Sequence, residues 1–191
     1  LNSWAPELFY DEEENQFVIV WATTIPARLP KTDGQDGDKY NHPLYAVTTK
    51  NFSIFSDTKL FYDHGFNVID GAILRADDQY AMLLKDETNK PFPVQKNIRL
   101  AFSDHATGLW SEPTEPITGD YWAEGPTILK IDGKWHVYFD KYIEGHYGLI
   151  VSDDLKEWGD LSTQLQSPLV KGENIRANHY YFDLNRDLGV A

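Results

Sequence analysis

Three features of the 191-residue sequence predict an all-β fold, and specifically a β-propeller. Short apolar runs rich in Val, Ile, Phe, Tyr and Trp recur between polar turn clusters, which marks strands and not helices. Asp132-Gly133 joins two such runs, Thr127 to Leu129 and Trp135 to Phe139. Asp-Gly between apolar runs is the strongest short-range hairpin signal. Three segments, TTKNFSIFS, FSDHATGLWS and VSDDLKEWG, can be laid over one another. Their last aromatics, Phe55, Trp110 and Trp158, lie 55 and 48 residues apart. A repeat of about 50 residues with three or four strands in each is the pattern of propeller blades. No long helical period competes with it.

The first unit covers about residues 4–63. It opens on Ala5 to Phe9 and turns at the acidic Asp11 to Asn15. Phe17 to Trp21, FVIVW, is short, β-branched and aromatic, so it reads as a strand buried on both faces. A long polar loop, Thr23 to His42, leads to a strand at Leu44 to Thr48, and Asn51 to Ser56 closes the unit. The second unit, about 66–118, starts at Asn67 to Gly71. Ala72 to Leu74 and Tyr80 to Leu84 flank a turn at Asp77-Asp78, Ile98 to Phe102 forms a third strand, and Ser103 to Ser111 closes. The third unit, about 121–170, holds the Asp132-Gly133 hairpin, a strand at Tyr147 to Val151 and a closure from Ser152 to Gly159. Leu161 to Lys171 is the candidate for its last strand. A further blade begins within 175–191, at Ile175 to Phe182. All of this is one domain, residues 1–191. Three blades and a start do not close a ring and leave sheet edges open. The sequence therefore leads one to expect further blades, or a second chain or fragment, completing the propeller.

Charge narrows the partners. Lys and Arg number 17 against 30 Asp and Glu, a net charge of −13. So acidic a surface repels phosphate backbones and anionic lipid, which argues against nucleic acid. A neutral sugar is not repelled. The sequence has no Cys, hence no disulfide, thiolate metal site or Cys nucleophile. No apolar run approaches the roughly 20 residues of a membrane helix.

In a propeller the first strand of each blade lines the central channel, and the starts of those strands meet at one mouth. In the second unit that position falls on Asp70, ten residues before Tyr80. In the third it falls on Glu124, eleven before Trp135. In the first it falls on Ala5 or Pro6, with Glu7 just beyond. Two acids from neighbouring blades at one funnel suit glycoside hydrolysis, which needs one carboxyl protonated and another ionised. Aromatic walls such as Trp4, Tyr121 and Trp122 favour the neutral form of an acid by desolvation. The competing reading is that both acids cap strand ends and bond backbone amides.

Asn-Val-Ile-Asp-Gly-Ala-Ile at 67–73, Trp-Ala-Glu-Gly-Pro at 122–126 and Trp-Ala-Pro-Glu at 4–7 resemble motifs of glycoside hydrolase family 43. The resemblance runs from Trp4 to about Trp158. It implies a five-bladed propeller that cleaves arabinofuranosides, xylosides and related plant-wall sugars with inversion, in a bacterial secreted or periplasmic setting. It implies Glu124 as general acid, and Asp70 as the carboxylate that tunes that acid and orients substrate. Apart from the resemblance, Asn41 and His42 at the end of the long loop and the aromatic walls Trp4, Tyr121 and Trp122 are expected sugar contacts; the resemblance adds His179, after Arg176, in a later blade. No cofactor is required, although the family often holds a cation beside its channel His, which allows a structural cation here. The usual Arg-His-Gly is absent: Ala177 and Asn178 separate Arg176 from His179, and Tyr180 follows. The family's general base is an Asp upstream of Trp-Ala-Pro-Glu, and only Leu1, Asn2 and Ser3 precede Trp4 here. The 191 residues by themselves are therefore expected to hydrolyse aryl glycosides hardly at all.

Other signals weigh less. The loop 32–38 is rich in Asp and Gly, but position twelve counted from Asp33 is Leu44, not the Glu of a calcium loop. The histidines show no zinc-ligand spacing. Lys85-Asp86 and Asp140-Lys141 occupy the same place in successive units and read as a repeated structural ion pair. Two other functions stay open for the same fold: a carbohydrate-binding propeller without catalysis, and a protein-interaction propeller.

Overall fold

The computed structural model describes residues 2–25, 41–89 and 93–165. They form three antiparallel sheets, the blades of a propeller. The first contains β1 (Trp4–Asp11), β2 (Gln16–Ala22), β3 (Leu44–Thr49) and β4 (Lys59–Tyr62). The second contains β5 (Val68–Ala76), β6 (Gln79–Asp86) and β7 (Asn97–Ser103). The third contains β8 (Glu124–Ile131), β9 (Lys134–Lys141), β10 (His146–Ser152) and the short β11 (Gly159–Asp160). In each sheet the strands are hydrogen-bonded neighbours in chain order, which is how a blade is wound. The stretch expected to close the third unit as a strand at 161–171 does otherwise in its described part. Ser162–Gln164 is a turn of 3-10 helix. The calcium-like loop 32–38, Arg176, His179 and the expected further blade within 175–191 lie outside the described residues.

The closing segments overlaid in the sequence do the same work in space. Thr49, Ser103 and Ser152 each accept backbone N–H bonds from the turn that follows with their hydroxyls. Ser56 and Ser111 each return to the third strand, donating their N–H to the carbonyls of Thr48 and Phe102. Short hydroxyl side chains favour such local bonds to the backbone, so the overlay of three divergent segments has a geometric basis.

The burial of each sheet follows from its neighbours. One apolar cluster joins the first two sheets through Val18, Val20, Leu44, Val68, Ile73, Tyr80, Met82 and Leu84. A second joins the middle sheet to the third through Ala81, Leu83, Leu100, Val137, Phe139 and Ile150. The middle sheet is covered on both faces, and from Tyr80 to Asp86 β6 is buried without a break. β2 and β9 alternate instead. FVIVW is thus not buried on both faces: Val18 and Val20 are, whereas Phe17, Ile19 and Trp21 keep partial exposure. No other described sheet lies against that side. The same holds for Leu8 and Tyr10 on β1 and for Leu129 and Ile131 on β8, all exposed. Among the described residues, no helix is long and apolar enough to cross a membrane.

All three first strands carry the same irregularity. The register slips between Trp4 and Glu7 in β1, between Ile69 and Ala72 in β5, and between Glu124 and Thr127 in β8. Each slip fits one extra residue, a β-bulge, which bends the strand and re-aims its side chains. The left-handed backbone at these bulges falls on Ala5 (φ 45°), Asp70 (φ 55°) and Gly125 (φ 56°). Trp4, Ile69 and Glu124 are therefore counterparts, opposite Ala22, Lys85 and Asp140. This corrects the sequence alignment by one position. Asp70 matches Gly125, not Glu124. The unequal spacings to Tyr80 and Trp135, ten and eleven, were a real offset.

Gly148 shows how tightly the third sheet packs. A Cβ built there would lie 2.2 Å from the Phe139 ring, and Phe139 is fully buried. Overpacking of this kind costs about 1–3 kcal/mol. Gly148→Ala is expected to lower the melting temperature by roughly 2–4 °C for each kcal/mol lost. An unchanged thermal unfolding curve would contradict this packing.

Candidate active site

The bulges of the second and third blades meet at one point. The Gly125 N–H donates to Asp70 Oδ2 across 2.9 Å. This bond joins two residues 55 apart in sequence and sets the neighbouring Glu124 beside Asp70's blade. The expectation that two acids converge from adjacent blades is thus met, but by adjacent positions and not equivalent ones. The competing reading also holds in part, because Asp70 does bond a backbone amide. Asp70 itself is held at positive φ. Short polar residues visit that region more readily than others, though it remains strained.

The electrostatics explain how these acids are held. Asp70 is partly buried, and burial pushes its carboxyl above the ordinary carboxylate range. The Gly125 amide and Lys85 pull it back, while Glu124 and Glu87 push it up. Behind Glu124 lies a residue that the sequence reading did not single out for the site. Lys85 Nζ lies 2.9 Å from Glu124 Oε2 and 2.6 Å from Glu87 Oε2, with its side chain 2% exposed. Its ammonium also sits 4.9 Å from the centre of the Tyr142 ring. Burial alone would lower the Lys85 pKa. The charges of Glu87 and Glu124 outweigh burial and raise it, so Lys85 stays charged. Glu87 is shared with Lys96, whose ammonium pairs with its other oxygen. Burial pushes the Tyr142 hydroxyl up to about 12, against the pull of Lys85.

The repeated ion pair expected from Lys85-Asp86 and Asp140-Lys141 is not what forms. Adjacent residues on a strand point to opposite faces. Lys85 reaches Glu124, Asp86 faces Arg99 at 3.2 Å, and Lys141 lies 3.8 Å from Glu144. The sequence did mark Lys85 as a repeated charged position. Its partner, 39 residues away on the next blade, had no local signal.

The expected sugar contacts divide. Trp4 and Trp122 are exposed, at 42% and 41%. Trp4 sits at the bulge of the first blade and stacks on His42 with ring centres 4.6 Å apart. Trp122 lies near Tyr142 and near the Lys96 ammonium. His42 is fully buried. Its Nδ1 donates to Asn67 Oδ1 at 2.8 Å, which leaves Nε2 to accept from the Asn2 side-chain amide at 2.7 Å. Its carbonyl accepts from Val68 N–H, so His42 braces Trp4 against the start of β5 and presents no face to a sugar. Tyr121 runs across its blade. It stacks on Phe139, carries the Lys141 ammonium over its ring at 3.7 Å, and donates its hydroxyl to Asp160 on the outermost strand. It is a packing residue directed toward the perimeter. Among the described residues, no group of three or more His, Asp or Glu could hold a metal ion.

A family described as a probable glycosyl hydrolase domain, related to family 43, matches residues 1–172. An α-L-arabinofuranosidase of Bifidobacterium longum is 25% identical over 89 residues, which are 44% of this chain and 8% of that protein. A glycosyl hydrolase of Bacteroides ovatus superposes with a TM-score of 0.61 at 16% identity, over 84% of this chain and 48% of its own. A GH43 protein of Bacillus licheniformis superposes with a TM-score of 0.62 at 16% identity, over 88% of this chain and 32% of its own. The chain thus spans less than half the length of each of these proteins. At these identities the superpositions speak to the fold.

The Asp70 carboxyl gives a test of the site that needs no substrate. Its pKa is higher in the folded state, so the fold binds this proton more tightly than the unfolded chain does. That contribution is complete below the unfolded pKa and is lost as pH rises through the folded one. Asp70→Asn keeps an acceptor for Gly125 and tolerates positive φ. Its melting temperature is expected to exceed wild type at neutral pH and to match it near about pH 3. A variant less stable than wild type at neutral pH would contradict the arrangement.

Proposed function

The chain belongs to the family 43-related probable glycosyl hydrolase domains, and from that premise we propose that the protein is an inverting glycoside hydrolase acting on arabinose- or xylose-containing plant polysaccharides or their oligomers. The observation that carries the proposal is the joined pair of bulges. Asp70 accepts the amide of Gly125, and the next residue back, Glu124, sits at the head of its blade's first strand. Two carboxylates from different blades are thereby fixed at one end of the first strands. The name of the Bifidobacterium relative supports the arabinose side of the reading.

In this reading Glu124 is the general acid. Its proton passes to the glycosidic oxygen as the bond to the anomeric carbon breaks, and the bonding electrons stay with that oxygen. Asp70 orients the sugar and acts on Glu124 through space. Inversion requires a further carboxylate on the opposite face to take a proton from water, and none of these residues corresponds to it. Trp4 and Trp122, both exposed, offer flat apolar faces on which a sugar ring can stack. A polysaccharide is too large to cross a membrane, which supports a secreted or periplasmic location.

The test is Glu124→Gln in the full-length protein. The amide keeps the shape but has no proton to give. Turnover of an unactivated glycoside should fall by about 10²–10⁴-fold, while calorimetric binding of arabino- or xylo-oligosaccharides changes little. Turnover at the wild-type rate would remove Glu124 from the role. Sugar binding by a wild-type protein with no turnover at all would favour the carbohydrate-binding propeller instead.

A further inference from the structure

Four charged side chains, Lys96, Glu87, Lys85 and Glu124, form a chain of ion pairs in which the two lysines are buried. We propose that Lys85 is a positioning residue for the general acid, holding the Glu124 carboxylate through one oxygen and receiving its charge when the proton leaves. The inference rests on the glycosidase reading and names how that site is built.

Three observations carry it. The first is geometric. Lys85 lies on β6 opposite Ile69, and Ile69 is the second-blade counterpart of Glu124. Its side chain therefore extends from just behind one bulge to the carboxylate at the next, where Nζ stops 2.9 Å from Oε2. The second is burial. The Lys85 side chain is 2% exposed whereas Glu124 is 35% exposed, so the ammonium is held away from water as a fixed source of positive charge while the carboxylate it meets stays open to the site. The third is the counterweight. Glu87 Oε2 lies 2.6 Å from the same ammonium, and Glu87 is in turn anchored by Lys96 and by its own N–H to the Asn67 carbonyl. Lys85 is thus fixed from behind, and its charge is divided between two carboxylates instead of being spent wholly on Glu124. Tyr142 closes the remaining side with its ring.

The chemical consequence concerns the moment of bond breaking. As Glu124 gives up its proton, negative charge appears on its oxygens, 2.9 Å from an ammonium already in place. Pre-placed charge of this kind needs no reorganisation during the reaction. The benefit goes to substrates whose leaving oxygen must be protonated. A leaving group that departs unaided gains little.

The experiment uses that difference in the full-length protein. Rates are measured on methyl and dinitrophenyl α-L-arabinofuranosides for wild type, Lys85→Met and Lys85→Arg. Lys85→Met is expected to reduce kcat/KM on the methyl glycoside by about tenfold or more beyond any loss on the dinitrophenyl glycoside. Lys85→Arg should restore most of that difference. Equal losses on both substrates, or no loss, would overturn the proposal while leaving the glycosidase reading intact. Wild-type protein that turns over neither substrate would overturn the glycosidase reading, and the proposal with it. Removing one partner of a buried ion pair can unfold a protein, so a second readout leaves Lys85 in place. In Glu124→Gln, the NMR signal of the Lys85 ammonium should shift and its protons should exchange faster with water. An unmoved signal would overturn the contact itself.

Discussion

The hydrogen bond from the Gly125 amide to the Asp70 carboxylate is the constraint on which the site depends. It joins two strands that belong to different sheets and so share no ladder. Both ends of the bond need the left-handed backbone of a bulge. Glycine supplies that conformation freely at 125, whereas Asp70 adopts it at some cost. The extra residue in each first strand bends the strand end and re-aims what it carries. In the first blade this presents Trp4, in the second Asp70, and in the third Glu124. The three blades use one backbone device for three different side chains.

Burial gives these groups their character. Taking Lys85 out of water opposes its charge, and only two carboxylates at close range outweigh that cost. Taking Asp70 out of water favours its neutral form. The two acids thus sit in different surroundings, Asp70 against the Gly125 amide and Glu124 beside the Lys85 ammonium. The middle sheet makes this possible. It is packed on both faces, and it holds Asp70 on β5 and Lys85 on β6 against the third blade with little freedom to shift. His42 does comparable work for the first blade, where Asn67 and Asn2 fix its ring and the ring supports Trp4.

Local features were legible in the sequence, and features set by neighbours were not. Asp77-Asp78 and Asp132-Gly133 mark their hairpins because a turn depends on its own residues. Both place an Asp at positive φ. The three closing segments were legible because Thr49, Ser103 and Ser152 bond within a few residues. The bulges were not, because an alignment by length absorbs one extra residue without trace. Asp70 and Glu124 could be found together while their equivalence was misread. Lys85 was seen as a repeated charge but was assigned to its sequence neighbour, which faces the other way. The covering of FVIVW, the burial of His42 and the direction of Tyr121 all depend on residues remote in sequence, so pattern alone could not decide them.

In the glycosidase reading these carboxylates serve a single displacement by water, with Glu124 protonating the group that leaves. Stereochemistry tests this most directly. Proton NMR can follow the first sugar released from an arabinofuranoside by the full-length protein, before it mutarotates. The first-formed sugar is expected to have the anomeric configuration opposite to that of the substrate. A first-formed sugar that keeps the substrate's configuration would mean two displacements through a covalent intermediate, and would contradict the single displacement.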